Sequence, residues 1–248
     1  MSDNFEFKDI DQEGMETLNV VSEADRFNTW MYQTIKPYCS GNILEIGSGI
    51  GNISDYFIND NQDITLSDIR QNYLDILKEK HAGKTNLKGV VLIDIIDPDF
   101  DSKFKNDFGT FDSIYALNIV EHVKDDKMAI ANMKKLLKPG GNLVILVPAY
   151  QKLYNLFDKE LEHYRRYNMK MLDHLMNVNQ LEVIHHQYFN FIGVFGWWFS
   201  GNILKKKTIP DGQMKLYNTL VPIFKVIDKV IINKMGLSVI SVGTLPKA

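Results

Sequence analysis

Residues 42–148 predict an α/β protein built on a doubly wound, largely parallel sheet, on three observations. Short apolar runs of strand length recur through this region. Helix-like amphipathic segments separate them, as parallel pairing requires. The first run, Asn42-Ile43-Leu44-Glu45-Ile46, passes directly into three alternating glycines, Gly47, Gly49 and Gly51.

The elements follow in order. Val20, Ala24, Phe27, Met31 and Ile35 recur at helical spacing, so one long amphipathic helix precedes the sheet and ends near Pro37. Strand one covers 42–47, with Ile43, Leu44 and Ile46 buried, and a helix carrying Ile53, Tyr56 and Phe57 on one face opens at about Asn52. Strand two is 62–68, a helix spans 71–81, and strand three runs over about 87–94. Strand four is 111–117, and the helix over 125–138 stops at Pro139-Gly140-Gly141 before strand five, Leu143 to Val147. After Pro148 comes a loop rich in Tyr, His and Arg (149–168), then a helix and a strand from about Leu181 to Phe191. The last strand is 237–244, and the 192–235 segment before it is far too long for a hairpin, which predicts a helical cap or lid. The chain is thus read as a single domain, 1–248, with an N-terminal helical extension over 1–40 and the insertion at 192–235.

At 248 residues, 45% apolar and 24% charged, the composition is that of an ordinary globular protein with a full core. The net charge of −3 gives no pull toward nucleic acid. Cys39 alone makes neither an internal disulfide nor a cysteine metal cluster, and it fits a reducing, cytoplasmic setting. The first fifteen residues are polar and acidic, so no secretory signal is expected. The apolar run from Tyr188 to Leu204 is broken by Asn190, Gly193, Gly196, Ser200 and Gly201, and is shorter than the roughly 20 apolar residues a span requires.

In an open parallel sheet, ligands bind beyond the carboxyl ends of the strands, so those ends hold the candidate residues. Glycines at 47, 49 and 51, with Ser48 among them, leave bare backbone for a ligand, and Glu45 stands just before the first. A dinucleotide fingerprint needs Gly-x-Gly-x-x-Gly, which this spacing does not satisfy, since Asn52 occupies the last glycine's place. The segment resembles motif I, Glu/Asp-x-Gly-x-Gly-x-Gly, of the class I S-adenosylmethionine-dependent methyltransferases. That resemblance implies a Rossmann-like seven-stranded sheet in the order 3-2-1-4-5-7-6 with strand seven antiparallel. It also implies S-adenosylmethionine as cofactor, no metal, and S-adenosylhomocysteine as product. Asp68, followed by Ile69, would hold the ribose hydroxyls; Asp94 with Ile95 would read adenine; Glu45 and the glycine backbone would position the methionine end. A single such Asp can equally be a helix cap or a solvated turn.

After strand four, Asn118-Ile119-Val120-Glu121-His122 is similar to the Asn-x-x-Glu-His segment of small-molecule methyltransferases, whose loop lies beneath the methionine part of the cofactor. The Asn/Asp-Pro-Pro-aromatic motif of enzymes acting on nucleic-acid bases is not present, which disfavours a nucleic-acid substrate. His122 is either a general base or a loop-shaping histidine bonded to backbone. The loop after strand five carries Tyr154 and the run His163-Tyr164-Arg165-Arg166-Tyr167, which resembles a His-Tyr-Arg-Arg-Tyr segment of uncharacterised bacterial methyltransferases, some linked with sugar transfer or the cell surface. Arg165 and Arg166 could clasp a phosphate or carboxylate, or pair with Glu160 and Glu162 to pin the loop. His163 and Tyr164 are acid–base or positioning candidates. In the insertion, Trp197 and Trp198 followed by Lys205-Lys206-Lys207 suit a lid over an apolar pocket or a peripheral membrane contact, and the helix through Leu220, Phe224, Ile227 and Ile231 suits packing on the domain or a homodimer.

The expected function is methyl transfer to a small-molecule acceptor, an oxygen of a saccharide or lipid-linked compound. The alternatives are a non-catalytic S-adenosylmethionine- or lipid-binding module and an NAD-dependent oxidoreductase.

Overall fold

The computed structural model describes residues 12–204 and 211–247. The lysines at 205–207 lie outside the described residues. Seven strands form one sheet: β1 (Ile43–Ile46), β2 (Ile64–Asp68), β3 (Leu87–Leu92), β4 (Phe111–Leu117), β5 (Leu137–Pro148), β6 (Glu182–Phe189) and β7 (Ser238–Thr244). Their order is β3-β2-β1-β4-β5-β7-β6, and β7 runs antiparallel to both β5 and β6. The sheet is the one the resemblance implied.

Strict alternation along buried strands divides the core into two layers. Leu44 and Ile46 of β1, Ile114 and Ala116 of β4, and Leu143, Ile145 and Val147 of β5 face one way, against Met133, Leu136, Leu172 and Met176. Those partners come from helices α6 (Asp126–Leu136) and α8 (Met169–Val178). Ile43, Ile64, Leu66, Tyr115, Val144 and Leu146 face the other way, onto Trp30, Ile35, Phe57 and Leu77. β1 is buried along its whole length, so its carboxyl end and the loop after it are held from both faces.

Helices deliver the chain back to the sheet after each strand: α3 (Ser54–Asn59), α4 (Gln71–Lys80) and α5 (Phe100–Phe104) precede α6. The first of these starts at Ser54, two residues later than the glycine pattern suggested. At the other end of the parallel run, α6 stops at Leu136 and the chain is extended from Leu137 onward. Leu137 pairs with Phe111 before the Pro139–Gly141 turn shifts the register, and regular pairing resumes at Asn142.

The single N-terminal helix expected from periodicity is two, α1 (Gln12–Ser22) and α2 (Asp25–Ile35). Tertiary capping explains the break. Asn28 Nδ2 donates to the Val21 carbonyl at 2.9 Å, and Asn218 Oδ1, distant in sequence, accepts from the Phe27 amide at 3.0 Å. Both new helix ends thereby satisfy groups that a continuous helix would have paired internally.

A short helix, α7 (Leu156–Glu160), lies between β5 and α8, and the insertion after β6 holds α9 (Phe191–Trp198) and α10 (Asp211–Val230). Within the insertion, expected to form a helical cap or lid, α10 carries Leu220, Phe224 and Ile227 and packs along α2. Arg26 Nη1 donates to the Thr219 carbonyl, and Lys225 donates to Gln33 Oε1. Among the described residues, no helix is long and apolar enough to cross a membrane.

The joint between β6, α9 and α10 depends on Asp228. Its carboxylate accepts from the amides of Asn190 (2.6 Å) and Phe191 (2.9 Å), and Asn190, at φ 69°, caps α9 through a bond from the Gly193 amide. Asp228→Ala should leave two amides unpaired and destabilise the fold by about 2–3 kcal/mol. Urea denaturation of both proteins measures it; an unchanged midpoint would remove Asp228 from this role.

Candidate functional site

The site is built at the carboxyl edge of β1, β2 and β4, where the chain winds to opposite sides of the sheet. Gly47, Gly49 and Gly51 have φ of 72°, 53° and 85°, the left-handed region that favours glycine. Space demands glycine as well. A Cβ on Gly47 would stand 2.0 Å from Ile119 Cδ1, and one on Gly49 would stand 2.9 Å from Leu18 Cδ1. Asp68, at the end of β2, is buried, and its two oxygens accept from the Gly49 amide (2.9 Å) and the Arg70 amide (3.0 Å). Burial raises its pKa despite those bonds. The carboxylate is therefore aimed along the glycine loop.

Ser48 is part of the same clasp: its amide donates to the Ser67 carbonyl at 2.8 Å, and its Oγ accepts from the Ser67 amide at 3.2 Å. Glu45 is buried beneath the loop, where the Ser54 hydroxyl donates to it, and desolvation holds its pKa near 7. Its contact fastens the start of α3 to β1. Ile69 is half-buried beside Asp68.

Asp94 lies two residues beyond β3, and its Oδ1 accepts from the Ile96 amide at 2.9 Å. Ile95 is committed to the core, and its carbonyl accepts from Asn132 Nδ2, so the half-buried Ile96 is the apolar neighbour nearer the surface. Asn118 is exposed with φ 55°, and its amide donates to the Leu146 carbonyl at 2.8 Å, which turns the chain sharply off β4.

That turn leads into Val120–His122, where the structure brings together residues of two loops. The His122 and His163 rings meet edge to face with centroids 4.6 Å apart. His163 is buried, and its Nδ1 lies 2.9 Å from Asp158 Oδ1. Desolvation lowers the pKa of both histidines, with His163 adding to the effect on His122. Burial alone would raise the Asp158 pKa, but bonds from His163 and Arg166 outweigh it and lower the value. Glu121 is 0% exposed, and neither of its oxygens has a hydrogen-bond partner. Desolvation pushes its pKa up to about 8.

The arginines correct the expectation of a free anion clasp. Arg166 is only 1% exposed: Nε donates to Asp158 Oδ1 at 2.7 Å, Nη1 donates to the Ala149 carbonyl at 3.0 Å, and the guanidinium stacks over the Trp197 ring. Arg165 pairs with Asp126 at 2.7 Å and donates to the Lys124 carbonyl, tying the loop to the start of α6. Both charges fix the loop, with Asp126 and Asp158 as partners. Tyr154 likewise donates to the His163 carbonyl at 2.8 Å, and the Tyr164 amide donates to the Glu121 carbonyl at 2.8 Å. The two tryptophans diverge. Trp197 packs between Phe157 and Arg166, whereas Trp198 is 48% exposed, so they do not make a joint lid.

Several residues that shape the site were not anticipated. Leu18 of α1 lies on Gly49, and its carbonyl accepts from Asn52 Nδ2 at 3.0 Å, so α1 covers the glycine loop. Glu121 sits beside His122 in sequence, and that adjacency was the available signal. Asp158 carried none, because its importance comes from the His163 ring and the Arg166 guanidinium that converge on it.

The donor set fits S-adenosylmethionine: a bare, left-handed backbone loop for a bulky zwitterion, a fixed carboxylate for vicinal hydroxyls, and a second acceptor at Asp94 for an exocyclic amine. Residues 44–143 match a family model described as a methyltransferase domain. The chain is 29% identical over 139 residues to the ubiquinone/menaquinone biosynthesis C-methyltransferase UbiE of Francisella tularensis, covering 51% of this chain and 54% of that protein. It is 25% identical over 187 residues to compactin diketide synthase mlcB of Penicillium citrinum, covering 72% of this chain but 6% of that much longer protein. Among solved structures, phosphoethanolamine N-methyltransferase 2 of Haemonchus contortus in complex with S-adenosyl-L-methionine superimposes with a TM-score of 0.60 at 16% identity, over 89% of this chain and 52% of that one. Glycine loop, strand-end carboxylate, strand order and family match agree: residues 44–143 carry a methyltransferase domain, and the sheet is the Rossmann-like fold of the S-adenosylmethionine-dependent methyltransferases.

Proposed function

We propose that the protein transfers a methyl group from S-adenosylmethionine to an oxygen of a small-molecule acceptor, of saccharide or lipid-linked type. The observation that carries the cofactor half of this reading is the Asp68 carboxylate locked against the Gly49 amide at the end of β2. The cofactor supplies an already activated methyl group, so alignment and exclusion of water account for most of the acceleration required of the protein. Glycines 47, 49 and 51 admit the cofactor, Asp68 holds ribose, and Asp94 meets adenine. Asn118 and the turn after it border the methionine end. His122 is the exposed member of the histidine pair, and its lowered pKa keeps it neutral, with a ring nitrogen able to accept a hydrogen bond from the acceptor hydroxyl. His163, held by Asp158, orients it, and Tyr164 and Tyr154 shape the loop above.

The acceptor's lipid-linked character is supported by the insertion. On α10, Leu216, Ile223, Val226 and Val230 form an exposed stripe, up to 75% exposed at Val230. Phe195, Trp198 and Phe199 add exposed aromatics on the neighbouring segment. Such a surface on a helix also bearing Lys215, Lys225 and Lys229 fits peripheral contact with an anionic membrane, with pairing of two copies as the competing use.

Asp68→Asn, which keeps an oxygen for the Gly49 amide, should weaken binding of S-adenosylhomocysteine by about 1–3 kcal/mol, because charge-assisted hydrogen bonds to the ribose are lost. Calorimetry on the folded variant checks this, and unchanged affinity would sink the ribose assignment. Vesicles containing anionic lipid should carry the protein in a flotation gradient, and Val226→Asp with Val230→Asp should release it. Failure of the parent protein to float would remove the membrane contact.

A further inference from the structure

Glu121, His122 and His163 present a donor set that methyl transfer does not by itself call for. One ligand atom from each lies within 4.8 Å of the others. Glu121 is fully buried, and both oxygens lack hydrogen-bond partners. A buried carboxylate left in that state is costly, and the usual remedies are a cation or a proton. The nearby guanidinium of Arg166 does not fill the role, since its Nε is given to Asp158 and its Nη1 to the Ala149 carbonyl.

The surroundings are those of a supported ligand. The His163 Nδ1 bond to Asp158 assigns the ring proton to Nδ1 and leaves the lone pair on Nε2. Asp158 is itself fixed, by Arg166 Nε at 2.7 Å and by the Asn155 amide at 3.0 Å. Its charge is matched by Arg166, so Glu121 remains the carboxylate opposite an incoming ion. His122 is exposed, which provides an entry path and leaves coordination positions open to solvent or acceptor.

We propose that Glu121, His122 and His163 bind a divalent transition-metal ion through two imidazoles and one carboxylate. Imidazole-rich sets favour zinc or iron over magnesium or calcium, which prefer oxygen ligands. Metal–ligand bonds of about 2.0–2.2 Å at tetrahedral angles place ligand atoms about 3.3–3.6 Å apart, so the cluster closes by up to about 1.5 Å on binding. The exposed His122 side chain can supply that movement by turning about its own bonds. This proposal departs from the metal-free reaction expected from the sequence, and a His122 that coordinates the ion gives it the lone pair otherwise offered to the acceptor hydroxyl. The ion would lie beside the turn from β4 that packs on Gly47, next to the proposed methyl donor. There it would select acceptors that offer a chelating pair of oxygens, such as vicinal hydroxyls or a hydroxy-carboxylate. This selection rests on the methyl-transfer reading, whereas the binding site itself does not.

The test is a titration of the full chain, stripped with chelator, with Zn2+ by calorimetry and with Co2+ by visible absorption. One ion per chain, with ligand-field bands for Co2+, is expected. His122→Ala changes an exposed side chain and Glu121→Gln is an isosteric change, so both should fold by circular dichroism, and each should weaken binding tenfold or more. No binding by the parent would overturn the proposal. Parent-like binding by both variants would also overturn it, because the ion would then sit elsewhere, as at His186 with Asp173. Titration with S-adenosylhomocysteine on the same samples separates the two readings: loss of metal binding alone leaves the cofactor site standing, and loss of cofactor binding alone leaves the metal site standing.

Discussion

A carboxylate bonded to a backbone amide at the switch point of the sheet governs the geometry of this protein. Asp68 closes β2, and its bond to the Gly49 amide sets the path of a loop that only glycines can follow at 47, 49 and 51. The loop path in turn decides where α3 begins, because Ser54 must reach the buried Glu45. It also decides what lies above, since Ile119 and Leu18 occupy the space a side chain on Gly47 or Gly49 would fill. A parallel sheet buried on both faces makes this clasp rigid, as neither β1 nor β2 has a solvated side on which to adjust.

Asp158 does the corresponding work on the opposite side of the site. Three groups converge on it: the His163 ring, the Arg166 guanidinium and the Asn155 amide. Taking a charged pair out of water is unfavourable unless every polar atom is answered, and here most are. The result is a loop of ordinary sequence length held in one conformation, with His163 presented to His122 in a fixed orientation. Glu121 is the exception, a buried carboxylate without a partner, and it stands where two loops meet.

Much of the sheet was legible in the sequence. Buried parallel strands read as apolar runs, so β4 was placed at 111–117 to the residue, and β2 and β6 within two residues. The glycine loop and Asp68 were legible for a related reason, since a strand followed by alternating glycines has few other uses. The break between α1 and α2 was not, because the caps that make it come from Asn28 and from the distant Asn218. Arg165 and Arg166 misled for the opposite reason. Adjacent arginines look available on paper, and only the fold reveals that Asp126 and Asp158 already hold them. Trp197 and Trp198 repeat the lesson: neighbours on a helix point about 100° apart, so one packs inward and the other faces solvent.

The central claim is that the loop clasped by Asp68 holds S-adenosylmethionine. Calorimetric titration of the purified chain with S-adenosylmethionine, S-adenosylhomocysteine and NAD tests it most directly. The account predicts micromolar binding of the first two and none of NAD. Binding of NAD alone, with neither sulfur compound bound, would contradict it.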